Sequence, residues 1–322
     1  RYFNNFISSG GVEYLGASYS QMSGFQVTQG QNYFYTKPNP LPPDLLLSVK
    51  TPTGSTTTIN YDVLGNSAVY ASDMGTSLAG SYPVRDLTPN MFVVSSLTTD
   101  SGVGTATVQN RFGYAGAKLE INGRGYLGFR EMRQQIDSPD GTSKLTTVRK
   151  FFQQHPYIGS VAVSETYLGP LSPMNAPQTG QLLSRTENTY CDTYAAAGAE
   201  NSATVSSPCP VSSKLNRPYL FKSVQTGWDL AGNALPSTTT TQRYSSGYLQ
   251  SVLVQTQGSG PAGNESFSKQ TTYEYFPDDI SGDNWKVGKV KKVSSGSTVP
   301  NSLGSVSTGA GSAPKASSTS GQ

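Results

Sequence analysis

Strand-like runs separated by turn-forming residues constrain the fold of this chain most strongly. The clearest example is a pair of runs, Arg130–Ile136 and Lys144–Phe152, which flank an Asp-Ser-Pro-Asp-Gly segment at 137–141. Proline fixes φ, glycine accepts positive φ, and aspartate accepts hydrogen bonds from nearby backbone amides, so this segment favours a tight turn. The pattern predicts a β-hairpin.

The same pattern recurs along most of the chain. Two further hairpins are predicted, one from the runs 45–49 and 56–61 and one from 91–97 and 105–114. Additional strands are expected at 160–168, 181–190, 219–228, 236–244, 247–257, 266–276 and 285–294.

The composition argues against amphipathic helices. Charged residues make up 13% of the chain, against about 25% in an average globular domain. Glycine (34), proline (20) and tyrosine (19) are abundant instead. Helices need good helix formers and a charged face, whereas tyrosine, valine and threonine favour strands. We therefore predict an all-β fold with little or no helix.

Charge and hydropathy exclude two classes of partner. The net charge is +3, and the one basic cluster, Lys286–Lys292, alternates with valine and glycine. Such alternation indicates the polar face of a strand, so no nucleic-acid partner is expected. No apolar run approaches 18 residues, so no membrane span is expected. The chain begins at Arg1, and we expect a section of a longer protein.

Two cysteines, Cys191 and Cys209, lie in a segment rich in proline, serine and alanine. No CxxC motif or Cys/His set accompanies them, which argues against metal or redox chemistry. A disulfide closing a surface loop is the favoured interpretation, and it indicates an oxidising, extracellular destination. Two free thiols also fit the sequence.

One motif of the form aromatic-Asp-x-x-Gly-Asn occurs twice. The first copy contains Tyr61, Asp62 and Gly65, and the second contains Trp228, Asp229 and Gly232. In each copy we expect the aromatic residue to end a strand in the core and the aspartate to bind backbone amides. The Gly-Asn pair is expected to adopt left-handed backbone angles.

A glycine-rich block forms the most distinctive motif. It runs from Gly123 to Arg130 and includes Arg124, Gly125 and Gly128; a Gln-x-x-Pro-Tyr step follows at 153–157. Together with the Tyr-Asp-x-x-Gly turns and the Trp-x-x-Gly-Lys-Val segment at 285–290, these motifs resemble the RHS/YD-repeat family. That family comprises bacterial RHS toxins and toxin-complex B-component-like shell proteins. The resemblance covers roughly residues 45–295.

The resemblance implies a curved antiparallel array of β-hairpins that forms part of a hollow shell. It also implies three regions: an aromatic and proline-rich β segment with a connector at 1–44, the RHS/YD-type sheet at 45–295, and a Ser/Gly-rich tail at 296–322. The expected partners are the remainder of a larger RHS-type polypeptide or its effector cargo.

Candidates for chemistry are few. His155 is the only histidine, and carboxylates pair at Asp137 with Asp140, at Asp278 with Asp279 and Asp283, and at Glu265 with Glu274. Most of these carboxylates lie in turns, where aspartate binds backbone, and residues 279–284 lack the glycine and the closing glutamate of a calcium loop. Arg124 could bind a phosphate or a carboxylate, although an arginine tying strands together is favoured. We expect no enzyme activity, no cofactor and no metal.

The sequence therefore predicts a non-catalytic structural section of an RHS/YD-repeat shell that encloses or carries a polypeptide effector, in a secreted or cell-surface bacterial protein. The alternative is a secreted β-rich adhesin or glycan-binding module in contact with a host surface. For this alternative the aromatic residues would form a sugar-stacking platform; they are Tyr33, Phe34, Tyr35, Tyr273, Tyr275 and Phe276.

Overall fold

The computed structural model describes most of the chain. The described residues are 45–88, 91–102, 106–138, 140–193, 195, 198–210, 217–245, 247–260, 263–281 and 285–299, with the backbone of five short strands outside these ranges. The region 1–44, which contains three aromatic residues of the platform considered for the alternative function (Tyr33–Tyr35), is described only as strand backbone.

The described residues form twenty strands and one short 3-10 helix, Ala199–Asn201. The strands are β1 (Phe3–Phe6), β2 (Tyr14–Ala17), β3 (Gln26–Gln29), β4 (Asn32–Tyr35), β5 (Ser48–Lys50), β6 (Thr56–Val63), β7 (Tyr70–Ala71), β8 (Val84–Asp86), β9 (Phe92–Asp100), β10 (Thr107–Glu120), β11 (Gly125–Asp137), β12 (Lys144–Phe151), β13 (Val161–Leu168), β14 (Gln181–Asp192), β15 (Pro218–Gly227), β16 (Ser237–Ser245), β17 (Tyr248–Gly260), β18 (Gly263–Tyr275), β19 (Val290–Thr298) and β20 (Thr319–Gly321). Among the described residues, no helix is long and apolar enough to cross a membrane.

Sixteen of these strands form one open sheet. From β9 to β20 each strand pairs with its neighbour in the sequence; β6 pairs with β9, and β5 forms the far edge. Pairing is antiparallel except between β7 and β10. The hairpins β1–β2 and β3–β4 are separate two-stranded sheets. The prediction of an all-β array of antiparallel hairpins is confirmed.

Most strand boundaries lie within a few residues of those predicted, with two informative exceptions. β10 and β11 have 14 and 13 residues and extend beyond the predicted runs 105–114 and 130–136, so the glycine block forms the turn and the first half of β11. β19 begins at Val290 instead of 285, and the preceding segment forms an isolated bridge between Asp279 and Lys286 within the connection from β18 to β19. β19 ends at Thr298, beyond the predicted limit.

Most buried apolar residues of the described ranges gather in three small clusters. The first surrounds Leu64, Tyr70 and Tyr114, where β6, β7 and β10 meet. The second contains Phe152, Tyr157 and Val163, and the third contains Cys191, Cys209 and Phe221. All three are local packing sites on the sheet.

Outside these clusters much of the sheet lacks the alternation of a covered sheet. A sheet packed on one face shows buried and exposed residues in turn. In β14 the first eight residues are all half-buried, and so are the first six of β16. Along these strands both faces therefore have similar exposure, as in a single-layered wall.

Candidate functional site

The two segments that form the family-like signature meet in the structure. The side-chain amide of Gln153, from the Gln-x-x-Pro-Tyr step, donates to the carbonyl oxygens of Gly116 and Gly128, each at 2.8 Å. Gly116 and Gly128 adopt φ of 63° and 84°, which a residue with a side chain rarely adopts. These residues, with Asp73 and Arg130, form what we call the signature node.

Asp73 is the member of the signature node that sequence reasoning missed. Its carboxylate accepts two hydrogen bonds of 2.9 Å from Arg130 and lies 3.5 Å from the Lys118 ammonium. A β-carbon on Gly116 would lie 2.4 Å from the same carboxylate. Glycine at 116 is thus required for the chain to approach Asp73. No local motif surrounds Asp73, so only its buried position reveals this role.

Arg124 is bound within its own hairpin. Its guanidinium donates to both carboxylate oxygens of Glu120, at 3.2 and 3.1 Å, across the turn between β10 and β11. Gly123 and Gly125 flank it with φ of 118° and 75°. The carboxylate that Arg124 binds is therefore intramolecular, and the arrangement ties the two strand ends together.

A cluster of ion pairs lies on one face of the sheet beneath residues 169–180, a segment we call the strap. Arg133 donates to Glu131 at 2.6 Å and to the strap carbonyls of Ser172, Pro173 and Ala176 at 3.3, 3.2 and 2.9 Å. Both Arg133 and Glu131 are 5% exposed. The buried guanidinium thus holds the strap through three hydrogen bonds and is fixed in place by the fourth, to Glu131.

The cluster continues across the next strands. Glu165, itself buried, accepts ion pairs from Lys150 at 3.6 Å and Arg185 at 3.2 Å, and Arg185 also pairs with Glu187. Burial raises the pKa of Tyr167, and the neighbouring carboxylate of Glu165 raises it further. Since each carboxylate here has a cationic partner, the arrangement supports structure rather than acid–base chemistry.

The opposite face of the sheet carries mostly uncharged hydroxyl and amide groups, and the exceptions include Arg149 opposite Ser164 and Val254 opposite Thr240. Side chains directly opposite one another in a register share a face. One row runs Ser164, Thr186, Gln225, Thr238, Thr256. Neighbouring rows add Thr147, Thr166 and Ser184 on one side and Ser223 and Thr240 on the other. We call this surface the hydroxyl face. It extends from β12 to β17.

The two aromatic-Asp-x-x-Gly-Asn turns share one hydrogen-bond pattern. In each, the second carboxylate oxygen of the aspartate accepts from the asparagine amide, at 2.7 Å for Asp62 and 2.9 Å for Asp229. The side-chain amide of Asn233 lowers the pKa of Asp229 most, and the backbone amides of Asn233 and Ala231 lower it further.

Two details of these turns differ from expectation. Tyr61 and Trp228 are only half-buried, and the residue that enters the core is Leu64, 1% exposed. Gly232 has φ of 86°, whereas Gly65 does not adopt positive φ. The first turn anchors to the core through leucine, whereas Ala231, at the equivalent position of the second, is exposed.

Cys191 and Cys209 are joined by a disulfide, with both residues almost fully buried. The Cys209 amide donates to the Tyr190 carbonyl at 3.0 Å, and the Tyr157 hydroxyl donates to the Cys209 carbonyl at 3.0 Å. The disulfide thus fixes the loop after β14 against the second apolar cluster.

Most candidates for catalysis are engaged in turns, whereas Glu265 and Glu274 lie on β18. Asp140 accepts from Ser138 and Thr142, which lowers its pKa to about 2. Asp278 accepts from the Tyr248 hydroxyl at 2.6 Å, and Asp279 caps the Ser281 amide. His155 is exposed rather than packed. Among the described residues no group of His, Cys, Asp and Glu has the geometry to hold a metal ion; Asp283 lies outside them.

The predicted aromatic platform is a cross-strand pair. Tyr275 stacks on Tyr248 with ring centroids 5.0 Å apart, and its hydroxyl donates to the Leu249 carbonyl. Lys289 lies over the Phe276 ring at 5.3 Å. The side chains of Tyr33, Phe34 and Tyr35 are outside the described residues.

The fold and these contacts define an open antiparallel β-sheet protein, in which distinctive residues hold strands and loops in place. Residues 25–156 match the family model described as the insecticide toxin TcdB middle/N-terminal region. No curated protein matches the sequence.

Two solved structures have a similar fold. The crystal structure of TcdB2-TccC3 without its hypervariable C-terminal region matches with a TM-score of 0.55 and 11% identity, over 89% of this chain and 16% of that chain. The crystal structure of TcdB2-TccC3 matches with a TM-score of 0.50 and 10% identity, over 76% of this chain and 15% of that chain. The resemblance to toxin-complex and RHS-type proteins is therefore confirmed.

Proposed function

We propose that this chain is a non-catalytic wall section of an RHS/YD-type β-shell that encloses or carries a polypeptide effector, in a secreted or surface-displayed bacterial protein. The observation that carries the proposal is the sixteen-stranded open sheet with a hydroxyl face and an ion-paired face. A shell that spans a larger polypeptide would supply the neighbours that this sheet lacks.

The hydroxyl face suits the inner surface of such a shell. An unfolded polypeptide carries both apolar and charged groups, and it binds strongly to surfaces that are apolar or carry unpaired charge. Threonine, serine and glutamine present neither. The proposed lining therefore allows the shell to enclose an unfolded polypeptide without binding it. Residues 45–295 would form the wall, with 1–44 as a preceding β segment and 296–322 as a tail that begins within β19.

Small-angle X-ray scattering of the full chain tests the proposed wall. A compact globule of this length has a radius of gyration of roughly 20 Å. We expect a clearly larger value and a plate-like cross-section about 10 Å thick, the spacing of one sheet layer. A value near 20 Å with a thicker cross-section would show that the chain closes its own core, and would overturn the proposal.

A second experiment tests the lining. Replacing Thr186, Thr238 and Thr256 with valine converts one row of the hydroxyl face to an apolar stripe at nearly the same side-chain volume. We expect the triple variant to bind an apolar dye and an unfolded, reduced and alkylated polypeptide, whereas the wild type binds neither. If the wild type binds both as strongly as the variant, the lining is not inert.

A further inference from the structure

A cleft of about 390 Å³ opens where the hairpin between β15 and β16 widens. Its residues include Trp228 and Leu235 from the connecting loop, and Ser237, Gln257 and Ser266 from the strands. The last three are paired in one register row across β16, β17 and β18, so their side chains share a face. The volume lies in the range of small-molecule sites, roughly 300–1,000 Å³.

The cleft exists because two glycines let the loop lie on the sheet. A β-carbon on Gly258 would lie 2.9 Å from the Pro236 ring, and one on Gly227 would lie 3.4 Å from Leu235. The loop is further held by Gln181, whose amide donates to the carbonyls of Asp229 and Leu230 at 3.0 and 2.9 Å. The walls of the cleft are therefore positioned by packing and hydrogen bonds.

The polar groups of the cleft are available to a ligand. Within the described ranges, the side chains of Ser237, Gln257 and Ser266 and the Trp228 indole make no hydrogen bond to other protein groups. The two hydroxyls donate and accept, the amide of Gln257 offers both functions in one plane, and the indole N–H donates. Polar groups that converge beside an aromatic side chain are typical of a binding site.

Charge selects the class of ligand. No lysine or arginine lines the cleft, and its one ionisable residue is Glu265. A phosphate or carboxylate ligand would thus find no cationic partner. We propose that the cleft binds a neutral pyranose sugar unit, with one C–H face of the ring against Trp228 and its hydroxyls paired with Gln257, Ser237 and Ser266. This site is separate from the proposed shell role and does not depend on it.

The chain contains two tryptophans, which allows a direct test. The full chain is labelled with 5-fluorotryptophan, and its two fluorine resonances are assigned with Trp285→Phe, a change at a side chain 75% exposed and outside the cleft. The probes are four neutral disaccharides: cellobiose, lactose, chitobiose and mannobiose. A blocked tripeptide serves as the competing class of ligand.

We expect at least one disaccharide to shift the Trp228 resonance saturably, with a Kd of about 1 mM, and to leave Trp285 unmoved. Gln257→Leu should weaken that binding by roughly tenfold or more, because a buried sugar hydroxyl is left unpaired. The matched control is Gln255→Leu, two residues along the same strand and outside the cleft, which should bind as the wild type does.

Several results would overturn the inference. They are the absence of any saturable shift, equal shifts at Trp228 and Trp285, equal losses in Gln257→Leu and Gln255→Leu, and a response to the tripeptide alone. Both glutamine variants change partly exposed side chains, so a folded protein is expected in each case and is verified by the unchanged Trp285 resonance.

Discussion

Arg130 and Asp73 are joined by two parallel hydrogen bonds of 2.9 Å, from Nε and Nη2 to the two carboxylate oxygens, although 57 positions separate them in the chain. This bidentate pair raises the pKa of Arg130 against the opposing effect of burial. It connects the loop after β7 to the middle of β11, and so fixes the loop over the glycine-rich end of the sheet.

Breaking the Arg130–Asp73 pair should therefore destabilise the fold. We expect Asp73→Asn and Arg130→Gln each to lower the free energy of unfolding by about 2–4 kcal/mol, because each removes the bidentate pair and leaves the remaining charge with one weaker ionic contact, Asp73 with Lys118 or Arg130 with Glu131. A double-mutant cycle in urea should give a coupling energy of at least about 1 kcal/mol.

The matched control for that cycle is Arg111→Gln. Arg111 pairs with Asp137 at 3.9 Å, and its side chain is 48% exposed, so its loss should cost less than about 1 kcal/mol. Equal effects of Asp73→Asn and Arg111→Gln would contradict a structural role for the pair.

The strap depends on a second close approach. A β-carbon on Gly113 of β10 would lie 2.4 Å from the Met174 sulfur. We expect Gly113→Ala to destabilise the protein by about 1–3 kcal/mol through overpacking and to speed proteolytic cleavage within 169–180. Gly296→Ala, with nothing within 4 Å of the added carbon, should change stability by about 0.5 kcal/mol or less.

Combining Gly113→Ala with Met174→Ala isolates the contact. The double variant should lose less stability than the two single losses added together, since the shortened side chain makes room for the new methyl group. Strict additivity in chemical denaturation would show that the methionine and the glycine do not interact.

The disulfide should contribute measurably to stability. Cys191 and Cys209 close a loop with a sequence separation of 18, for which the chain-entropy relation gives about 3 kcal/mol. We expect the double variant Cys191→Ala/Cys209→Ala to have a free energy of unfolding lower than that of the wild type by this amount, measured in urea. Adding reductant to the wild type should lower its free energy of unfolding by the same amount. Reductant should leave the double variant unaffected; a similar response of both proteins would refute the assignment.

Alkaline pH should unfold the protein through its buried tyrosines. Burial raises the pKa of Tyr114 to about 12, above the ordinary value near 10. The unfolded state then loses its phenolic proton first, so the stabilisation is complete below pH 10 and is lost as the pH rises from about 10 to 12.

Tyr114→Phe should reduce this alkaline loss of stability by about 1–2 kcal/mol, measured as the difference in unfolding free energy between pH 9 and pH 11.5. Tyr82→Phe, at a side chain 77% exposed, is the control. The interpretation fails if both variants show the alkaline slope of the wild type.

Local chemistry explains what the sequence could predict. The Asp-Ser-Pro-Asp-Gly turn at 137–141 determines the β11–β12 hairpin because its residues encode the turn directly, and the two aspartate turns are predictable for the same reason. The signature node was only half predictable. Gln153, Gly128 and Arg130 belong to visible motifs, whereas Asp73 and Gly116 do not.

Long-range packing explains the rest. The contact of the strap with Gly113 depends on which loop folds back over which strand. The face of the sheet on which a side chain lies depends on the strand register and on the positions of β-bulges, and neither can be recognised in the sequence. The Trp228 cleft shows the same limit. Its turn motif can be recognised in the sequence. That Ser237, Gln257 and Ser266 lie side by side next to this turn follows only from the register of the paired strands.

The order of strands in the large sheet has a consequence for how the protein acquires its structure. From β9 onward each strand pairs with the next one along the chain, so contacts between strands are short in sequence and the contact order is low for a β protein. A chain of this kind can fold hairpin by hairpin as it emerges from a ribosome or a secretion pore. Each new strand then pairs with the strand that has just formed.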